Sequence, residues 1–557
     1  MNSFIKKNHR LLFYACWLIL GLIQSGLTEL QDDEAYYWVY SRYPAWGYFD
    51  HPPMTGLLIK MGYAIFPNQL GVRLFPLLLN LLSLLIIEKL ISKKNHWLFY
   101  IIVLSIAVLQ LSGFAAVPDI PLIFFTALFF WCYKKFVADY SLLHTFLLGL
   151  SVALLCYSKY HAVLIVLFTL LSNIKLFTRY QTYIAGVVAL LLFAPHLWWQ
   201  YEHDWVSIRY HLFESNVNSY KLSFTLNYIV GQLLLPGPIA GFILLPAAFL
   251  YKPVNELEKA LRFTLIGIYA FFLLSSFRGQ VEANWTSPVL VSLIVLSHGF
   301  LIEKTKWQKV LYKLLPVTLL LVVLARVVMI TDILPIKAIS ERFHSWKEWP
   351  QEMRQRTKGL PVVFNNSYQR ASKYWYYSGQ PTYSLNHYRG RRNNFNFWPL
   401  EDSLLGKPAY MLDIYDMPSF HDSLHTPIGW VGYRYDDAFV SFAKIKISVT
   451  PSEYTLKQGE ELQLKCRFDM PEHYAAFISS HPQLNDSTRV GIFSGKKWIK
   501  DIFPPITLQQ MIDQKTPERL VTIQPNLPKG KYYLRFAINC GPRYPTHNSD
   551  KIGLTIE

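Results

Sequence analysis

Apolar runs of about 20 residues, each long enough to cross a hydrocarbon core of ~30 Å, recur through the first three fifths of this chain. They fall near 11–27, 71–91, 97–113, 120–136, 142–158, 161–177, 181–199, 225–250, 261–277, 285–303 and 308–330. The composition agrees: 52% of residues are hydrophobic, 16% aromatic and only 16% charged, against about 25% charged in a soluble domain. The expected fold is a polytopic α-helical membrane protein with about 11 transmembrane helices over residues 1–331, followed by soluble sequence.

Lys and Arg collect in alternate connections, as the positive-inside tendency requires of short cytoplasmic loops. Lys6, Lys7 and Arg10 precede the first run; Lys93 and Lys94, Lys134 and Lys135, Lys175 and Arg179, Arg262, and Lys304 to Lys313 follow alternate later ones. This places the amino terminus in the cytoplasm and everything after about residue 331 outside. The net charge of +17 then belongs to loops facing anionic headgroups. No recognition helix, zinc finger or aromatic RNA-binding strand accompanies it, so nucleic acid is not an expected partner. Cys16, Cys132 and Cys156 fall in spans as small buried hydrophobes. Cys466 and Cys540 lie in the external part, where an oxidising compartment permits a disulfide.

The unusual polar residues gather in the external connections. Asp32, Asp33, Glu34, Asp50 and His51 lie between the first two spans, amid Tyr and Trp; ionisable groups beside a bilayer are costly unless they face water, a partner or a substrate. Asp119 sits between Pro118 and Pro121, as a helix cap alone or as a cap with an active-site role. Lys159 and His161 occupy an external turn against the charge rule, which a phosphate ligand or a snorkelling lysine would each explain. After the seventh span come His196, Trp198, Glu202, His203, Asp204, Arg209 and His211. Their aromatics suit an interfacial belt or a sugar platform, and the His and acid spacing matches no metal motif. Arg278, Glu282, Asn284 and Trp285 form the next external turn, either a site or a rim ion pair.

Asp33-Glu34-Ala35-Tyr36-Tyr37, Tyr48-Phe49-Asp50-His51-Pro52-Pro53, Val117-Pro118-Asp119, Ser158-Lys159-Tyr160, Pro195-His196-Leu197-Trp198-Trp199-Gln200, His203-Asp204-Trp205 and Glu282-Ala283-Asn284-Trp285 occur in this order. Together they resemble the integral-membrane glycosyltransferases of the GT-C fold, the bacterial relatives of dolichyl-phosphate-mannose protein mannosyltransferases and of lipid A aminoarabinose transferases. The resemblance covers about the first 330 residues. It implies an enzyme of the bacterial cytoplasmic (inner) membrane that moves one sugar, with inversion, from a polyprenyl-phosphate donor to a lipid, glycan or protein acceptor at the outer face. It implies no cofactor and a metal-independent reaction. Such chemistry needs a carboxylate for the acceptor hydroxyl and cations for the leaving phosphate. By motif position Asp33 matches the family's catalytic carboxylate, with Glu34 beside it and Asp119 as a second acid. His51, Lys159, Arg209 and Arg278 are the candidate phosphate contacts. Tyr36, Tyr37, Asp50, His161, His196, Trp198, His203, Asp204, Glu282, Asn284 and Trp285 are candidate substrate contacts. One departure stands out: aminoarabinose transferases carry Lys where this chain has His51 and Arg where it has Tyr36, so the donor chemistry of this chain differs from that branch.

The external remainder reads as a small α/β domain over 332–442 and an antiparallel β-sandwich over 443–557. The sandwich rests on period-two alternation in Lys444 to Val449, Leu462 to Cys466 and Tyr532 to Ala537. These domains either present acceptors or cap the membrane site. The basic run Tyr388 to Phe395 reads as a solvated loop, with phosphate contact as the alternative. Two rivals stay open: a lipid-linked-sugar transporter, which would place its polar sites near the bilayer midplane, and a membrane-anchored receptor, which would need far fewer spans.

Overall fold

The computed structural model describes residues 3–214, 220–334, 336–414, 420, 422–484, 486–512 and 518–557. The chain divides into two units, Met1–His344 and Ser345–Glu557.

The first unit is helical. Its elements are α1 (Ser3–Leu27), α2 (Asp32–Arg42), α3 (Met54–Ile65), α4 (Gln69–Leu90), α5 (His96–Ser105), α6 (Ala107–Leu111), α7 (Asp119–Asp139), α8 (Leu142–Ser158), α9 (Ala162–Ser172), α10 (Tyr180–Glu202), α11 (Val206–Arg209), α12 (Leu222–Leu234), α13 (Gly241–Leu250), α14 (Glu256–Ser275), α15 (Val289–Leu301), α16 (Thr305–Ile330) and α17 (Lys337–Phe343). Five of these are long and apolar enough to cross a membrane: residues 7–27 of α1, α4, α7, α10 and α16. Their partners are shorter apolar helices, and the unit is a multi-pass membrane protein. A continuous apolar core draws on Leu84 and Ile87 of α4, Phe129 and Phe130 of α7, Leu155 of α8, Leu261 of α14 and Leu293 of α15.

Two expected spans are broken, and the breaks meet. The run near 97–113 divides at Ile106, whose backbone is extended (φ −87°, ψ 93°). The run near 225–250 divides at Pro236-Gly237-Pro238, since proline lacks the N–H and clashes with the preceding turn. The Ala107 N–H, freed at the first break, donates to the Pro236 carbonyl at 3.1 Å. Gly237 sits at φ +125°, where a Cβ would lie 3.0 Å from the Ser105 carbonyl oxygen; only glycine permits both the conformation and the approach. The stretch between α1 and α4, expected as an external loop, is also more ordered than a loop. It holds α2 and the apolar α3, whose 12 residues fall short of the length by which a span is recognised.

What fixes α2 is a buried ion pair. Arg73, on α4, and Glu34, on α2, are both fully buried and bonded twice, Nε to Oε1 at 2.7 Å and Nη2 to Oε2 at 2.6 Å. Arg73 also donates to the carbonyls of Ser25, Thr28 and Glu29 at the end of α1. Glu34 accepts from the backbone N–H groups of Gln31 and Ala116, both at 2.9 Å. Burial alone would raise the Glu34 pKa; the Arg73 charge and these hydrogen bonds outweigh it and hold the carboxyl below its ordinary range.

The second unit contains α18 (Trp349–Arg356), β1 (Val362–Asn365), α19 (Tyr368–Ser378), β2 (Thr382–Leu385), α20 (Leu400–Leu404), β3 (Ala409–Asp413), β4 (Asp422–Thr426), β5 (Gly429–Asp436), β6 (Lys446–Thr450), β7 (Glu453–Leu456), β8 (Leu462–Asp469), α21 (Glu472–Ser480), β9 (Thr488–Ser494), β10 (Lys497–Ile502), α22 (Leu508–Met511), β11 (Glu518–Ile523), β12 (Gly530–Ile538) and β13 (Ile552–Ile556). A mixed sheet of order β2-β1-β3-β5-β4 carries α19 as the crossover between parallel β1 and β2. Sheets of order β10-β9-β12-β13-β7 and β11-β8-β6 enclose a shared core. In β8 the alternation is complete, with Leu462, Leu464, Cys466 and Phe468 buried and the residues between them exposed.

One open alternative is decided here and one expectation corrected. Cys466 and Cys540 are both buried and unpaired; the thiols lie within 3.7 Å and 3.6 Å of the carbonyls of Leu464 and Ile538, two residues back along the chain. The basic run is no solvated loop. Tyr388 and Phe395 are fully buried, Arg389 lies 3.7 Å over the Trp498 ring and pairs with Asp501, and Arg392 pairs with Asp550.

Glu34→Gln leaves the buried Arg73 charge uncompensated, a loss of about 3–5 kcal/mol. The thermal unfolding midpoint in detergent should fall sharply; an unchanged midpoint would refute the keystone role of the pair. Glu401 of α20 is fully buried, and burial raises its pKa above the ordinary carboxylate value despite hydrogen bonds from Ser441 and Ala443. A carboxyl whose folded pKa is raised contributes stability at low pH that is lost as pH rises. Glu401→Gln should therefore melt higher than the wild type at pH 8, with the gap narrowing as pH is lowered toward 5. A constant gap across that range would contradict this.

Candidate active site

A cavity of about 1070 Å³ opens in the helical unit, and the stretches after α1, before α3, before α7, after α8, after α10 and after α14 supply most of its polar wall. Asp33 is an exposed side chain at the start of α2 and lines it. The next residue, Glu34, belongs to the ion pair described above, so the helix register gives one carboxylate to the cavity and one to the scaffold. Tyr37, one turn on from Asp33, also lines the cavity, with its ring edge-on to His51 at 5.6 Å.

His51 sits just before α3 and lines the same wall. Behind it Tyr36 donates to Asp50 Oδ2 at 2.9 Å; both are buried and neither reaches the cavity surface. Burial, reinforced by the Lys159 charge, pushes the His51 pKa down to about 3, so its imidazole is neutral at pH 7. The Asp50 carbonyl lies 2.9 Å from His211 Nε2, and His211 forms part of the opposite wall.

Asp119 and Lys159 form the second charged group. Lys159, at the end of α8, reaches Asp119 Oδ1 at 2.9 Å, and both side chains are nearly buried. Ser287 Oγ donates to the same oxygen at 2.7 Å and Asn284 Nδ2 donates to Oδ2 at 3.0 Å. Asp119 is thus committed to three donors, and its side chain holds the Lys159 ammonium at the cavity wall. Asn284 and Trp285 come from a short 3-10 turn, Ala283–Thr286, in the connection expected between the runs near 261–277 and 285–303. His161 packs between Phe272 and Trp285, with ring centroids 5.0 and 5.6 Å away. Arg278 and Glu282 complete this side, and both are exposed to the cavity.

The remaining candidates lie elsewhere. Arg209 and Asp204 are exposed and outside the cavity wall. His196 is buried, with Nδ1 2.7 Å from the Trp46 carbonyl. His203 stacks on Trp199 at 4.1 Å, and its Nδ1 lies 2.8 Å from the Trp199 carbonyl. Trp198 is 63% exposed and donates to Glu202 along its own helix, which is the geometry of an interfacial belt. The segment after α10 instead contributes Ser207, Ile208 and His211 to the cavity.

Sequence reasoning overlooked Arg342 of α17 and Ser287, which also line the wall, and Arg73. For Arg73 a signal existed: a charge inside an apolar run demands a buried partner. Arg342 lies beyond the last span with no motif around it. Among the described residues no three His, Cys, Asp or Glu side chains gather as a metal site would need. The apolar wall includes Ile123, Leu164, Phe271 and Leu290. The cavity therefore combines the Asp33 carboxylate, cations at Lys159, Arg278 and Arg342, a neutral imidazole at His51, and an apolar side able to take hydrocarbon.

Residues 50–199 match the model of the family described as dolichyl-phosphate-mannose-protein mannosyltransferase. The chain is 25% identical over 317 residues to the lipid A galacturonosyltransferase RgtD of Rhizobium johnstonii, across 53% of this chain and 65% of that protein, so it spans just under two thirds of that relative's length. Crystal structures of ArnT from Cupriavidus metallidurans superpose in the apo state with a TM-score of 0.59 at 14% identity, and bound to undecaprenyl phosphate with 0.58 at 13%. They cover 77% and 76% of this chain and 98% of theirs. The chain has the GT-C fold of ArnT, and in sequence it is a relative of the dolichyl-phosphate-mannose-protein mannosyltransferases and of a lipid A galacturonosyltransferase.

Proposed function

We propose that this chain is a glycosyltransferase that moves a single sugar from a polyprenyl phosphate to a hydroxyl of a lipid acceptor at the outer face of a bacterial cytoplasmic membrane, with inversion. The observation that carries the reading is the meeting, in one cavity, of the Asp33 carboxylate with Lys159, Arg278 and Arg342 beside an apolar wall. The relatives agree with it, one acting on lipid A by its name and one crystallised with undecaprenyl phosphate.

In this reading Asp33 accepts the proton of the acceptor hydroxyl as its oxygen attacks the anomeric carbon from the face opposite the phosphate. The bond from that carbon to the phosphate oxygen breaks, and its electron pair leaves with polyprenyl phosphate. Fixed cations in a cavity partly shielded from water stabilise that developing charge far better than solvent would. Lys159 supplies one, held in place by Asp119; Arg278 and Arg342 supply the others. His51, being neutral, offers a hydrogen bond and no charge. Glu34 acts through position, since its pair with Arg73 sets the helix that carries Asp33. The positive-inside pattern puts this cavity on the extracytoplasmic side.

Asp33→Asn should lower kcat by about 10²- to 10⁴-fold, the usual worth of a general base, with insertion and melting unchanged. The assay supplies purified protein with a panel of polyprenyl-phosphate sugars and a lipid extract, and follows release of polyprenyl phosphate. Wild-type rates in the variant would remove Asp33 from the chemistry. Absence of turnover by wild type, together with donor movement across sealed liposomes, would favour a transporter.

Lys159→Gln should raise the KM for donor by on the order of 10- to 100-fold, the worth of a hydrogen bond to a charged group. Donor titrations against the variant check this, and an unchanged KM would exclude Lys159 as a phosphate contact.

A further inference from the structure

We propose that the unit Ser345–Glu557 carries a saccharide-binding site between the carboxyl ends of β1 and β3, built on Asn365, Asp413, His387 and Tyr544. This goes beyond the transfer reaction and does not depend on it.

The topology supplies the first observation. From β1 the chain passes through α19 and returns as β2 on one flank of β1; β3 then enters on the other flank, parallel to β1. The connections leaving β1 and β3 therefore run to opposite sides. Ligands of open α/β sheets bind in the crevice outside the strand ends at such a switch point. In register, Phe364 pairs with Leu412, so the last residues of the two strands, Asn365 and Asp413, stand side by side at its floor.

The second observation is chemical and independent of the first. Asn365 is 7% exposed. Its Nδ2 donates to Asp413 Oδ2 at 3.0 Å, yet its Oδ1 accepts no hydrogen bond among the described residues. A buried amide oxygen left this way is costly, and such groups in native folds are met by water or ligand. Tyr544 donates to the same Asp413 oxygen at 3.0 Å.

His387, just beyond β2, stands perpendicular to the Tyr544 ring at 5.0 Å. Its Nδ1 accepts from the Arg389 N–H at 3.0 Å, which puts the ring proton of the neutral tautomer on Nε2. Burial, reinforced by the nearby Arg389 and Arg489 charges, pushes the His387 pKa down to about 4, in keeping with that tautomer.

The group thus offers the Asn365 amide oxygen as acceptor and the His387 imidazole N–H as donor, held beside the Asp413 carboxylate and the Tyr544 ring. Neighbouring sugar hydroxyls match alternate acceptors and donors, and the C–H face of a pyranose suits the aromatic surface. A phosphate does not fit, because Asp413 would repel it.

The test is saturation-transfer NMR on the full-length protein in detergent, with glucose, galactose, N-acetylglucosamine and galacturonic acid as probes. At least one sugar should show binding that weakens tenfold or more in Asn365→Ala and in Tyr544→Phe and is unchanged in Asp33→Asn. Tyr544→Phe keeps the ring and removes one hydroxyl, so it reports even where Asn365→Ala fails to fold. No signal from any sugar, a signal indifferent to the folded variants, or one lost in Asp33→Asn alone would overturn the proposal. Because the readout is binding, its failure is distinct from a failure of sugar transfer.

Discussion

The helical unit is organised around one buried charge pair. Arg73 cannot be buried in an apolar helix as an uncompensated cation, and Glu34 cannot be sealed from water without a partner. Each answers the other, and the remaining donors and acceptors of the pair reach the end of α1, the start of α2 and the turn before α7. The α1–α2 connection, α4 and the turn before α7 are therefore fixed to one point. The consequence for the cavity is geometric: α2 is pinned by its third residue, so its second, Asp33, faces the space that its neighbour turns away from.

The second pair works differently. Asp119 and Lys159 are bonded, but they sit at the cavity wall and not behind it. Ser287 and Asn284 take two of the lone-pair sites of Asp119 that Lys159 leaves, so the carboxylate is largely engaged while the Lys159 ammonium gives Asp119 one of its three N–H bonds. A largely engaged anion holding a cation with donors to spare positions positive charge without cancelling its ability to bond. That division of labour makes Asp119 a positioning residue and Lys159 the group that meets phosphate in the proposed reaction.

Much of this was legible in the chain. Hydrophobic run length gave α4, α7, α8, α10 and α16 nearly to their ends and the carboxyl end of α1, and alternation gave β8. Composition and motif order drew attention to the polar turns that do supply Asp33, His51, Asp119, Lys159 and Asn284 to one cavity. Run length failed where tertiary contact decides the outcome: Ile106 breaks a helix only because Pro236 offers its carbonyl across the fold. Motif reading failed where it could not tell a helix face from its back. Glu34 and Asp33 are adjacent and alike, and only the partner of Arg73 distinguishes them. The motif that holds His196 and Trp198 lies outside the cavity wall, with His196 against a backbone carbonyl and Trp198 on the helix exterior.

The departure at His51 changes how the cavity is charged. A lysine at this position would bring a second ammonium against Lys159, which is already close enough to depress His51. A neutral imidazole removes that repulsion, and the loss of one cation leaves Arg278 and Arg342 with a larger share of the phosphate. Both are exposed in the cavity and come from segments near the end of the helical unit. In the proposed reaction, charge for the leaving group then comes less from the His51 segment, which is fixed by Glu34 and Arg73, than from Lys159, Arg278 and Arg342. A donor phosphate bound mainly by those cations would seat its sugar differently against Asp33 from one clamped at the His51 position, and the neutral imidazole would meet that sugar by a hydrogen bond alone.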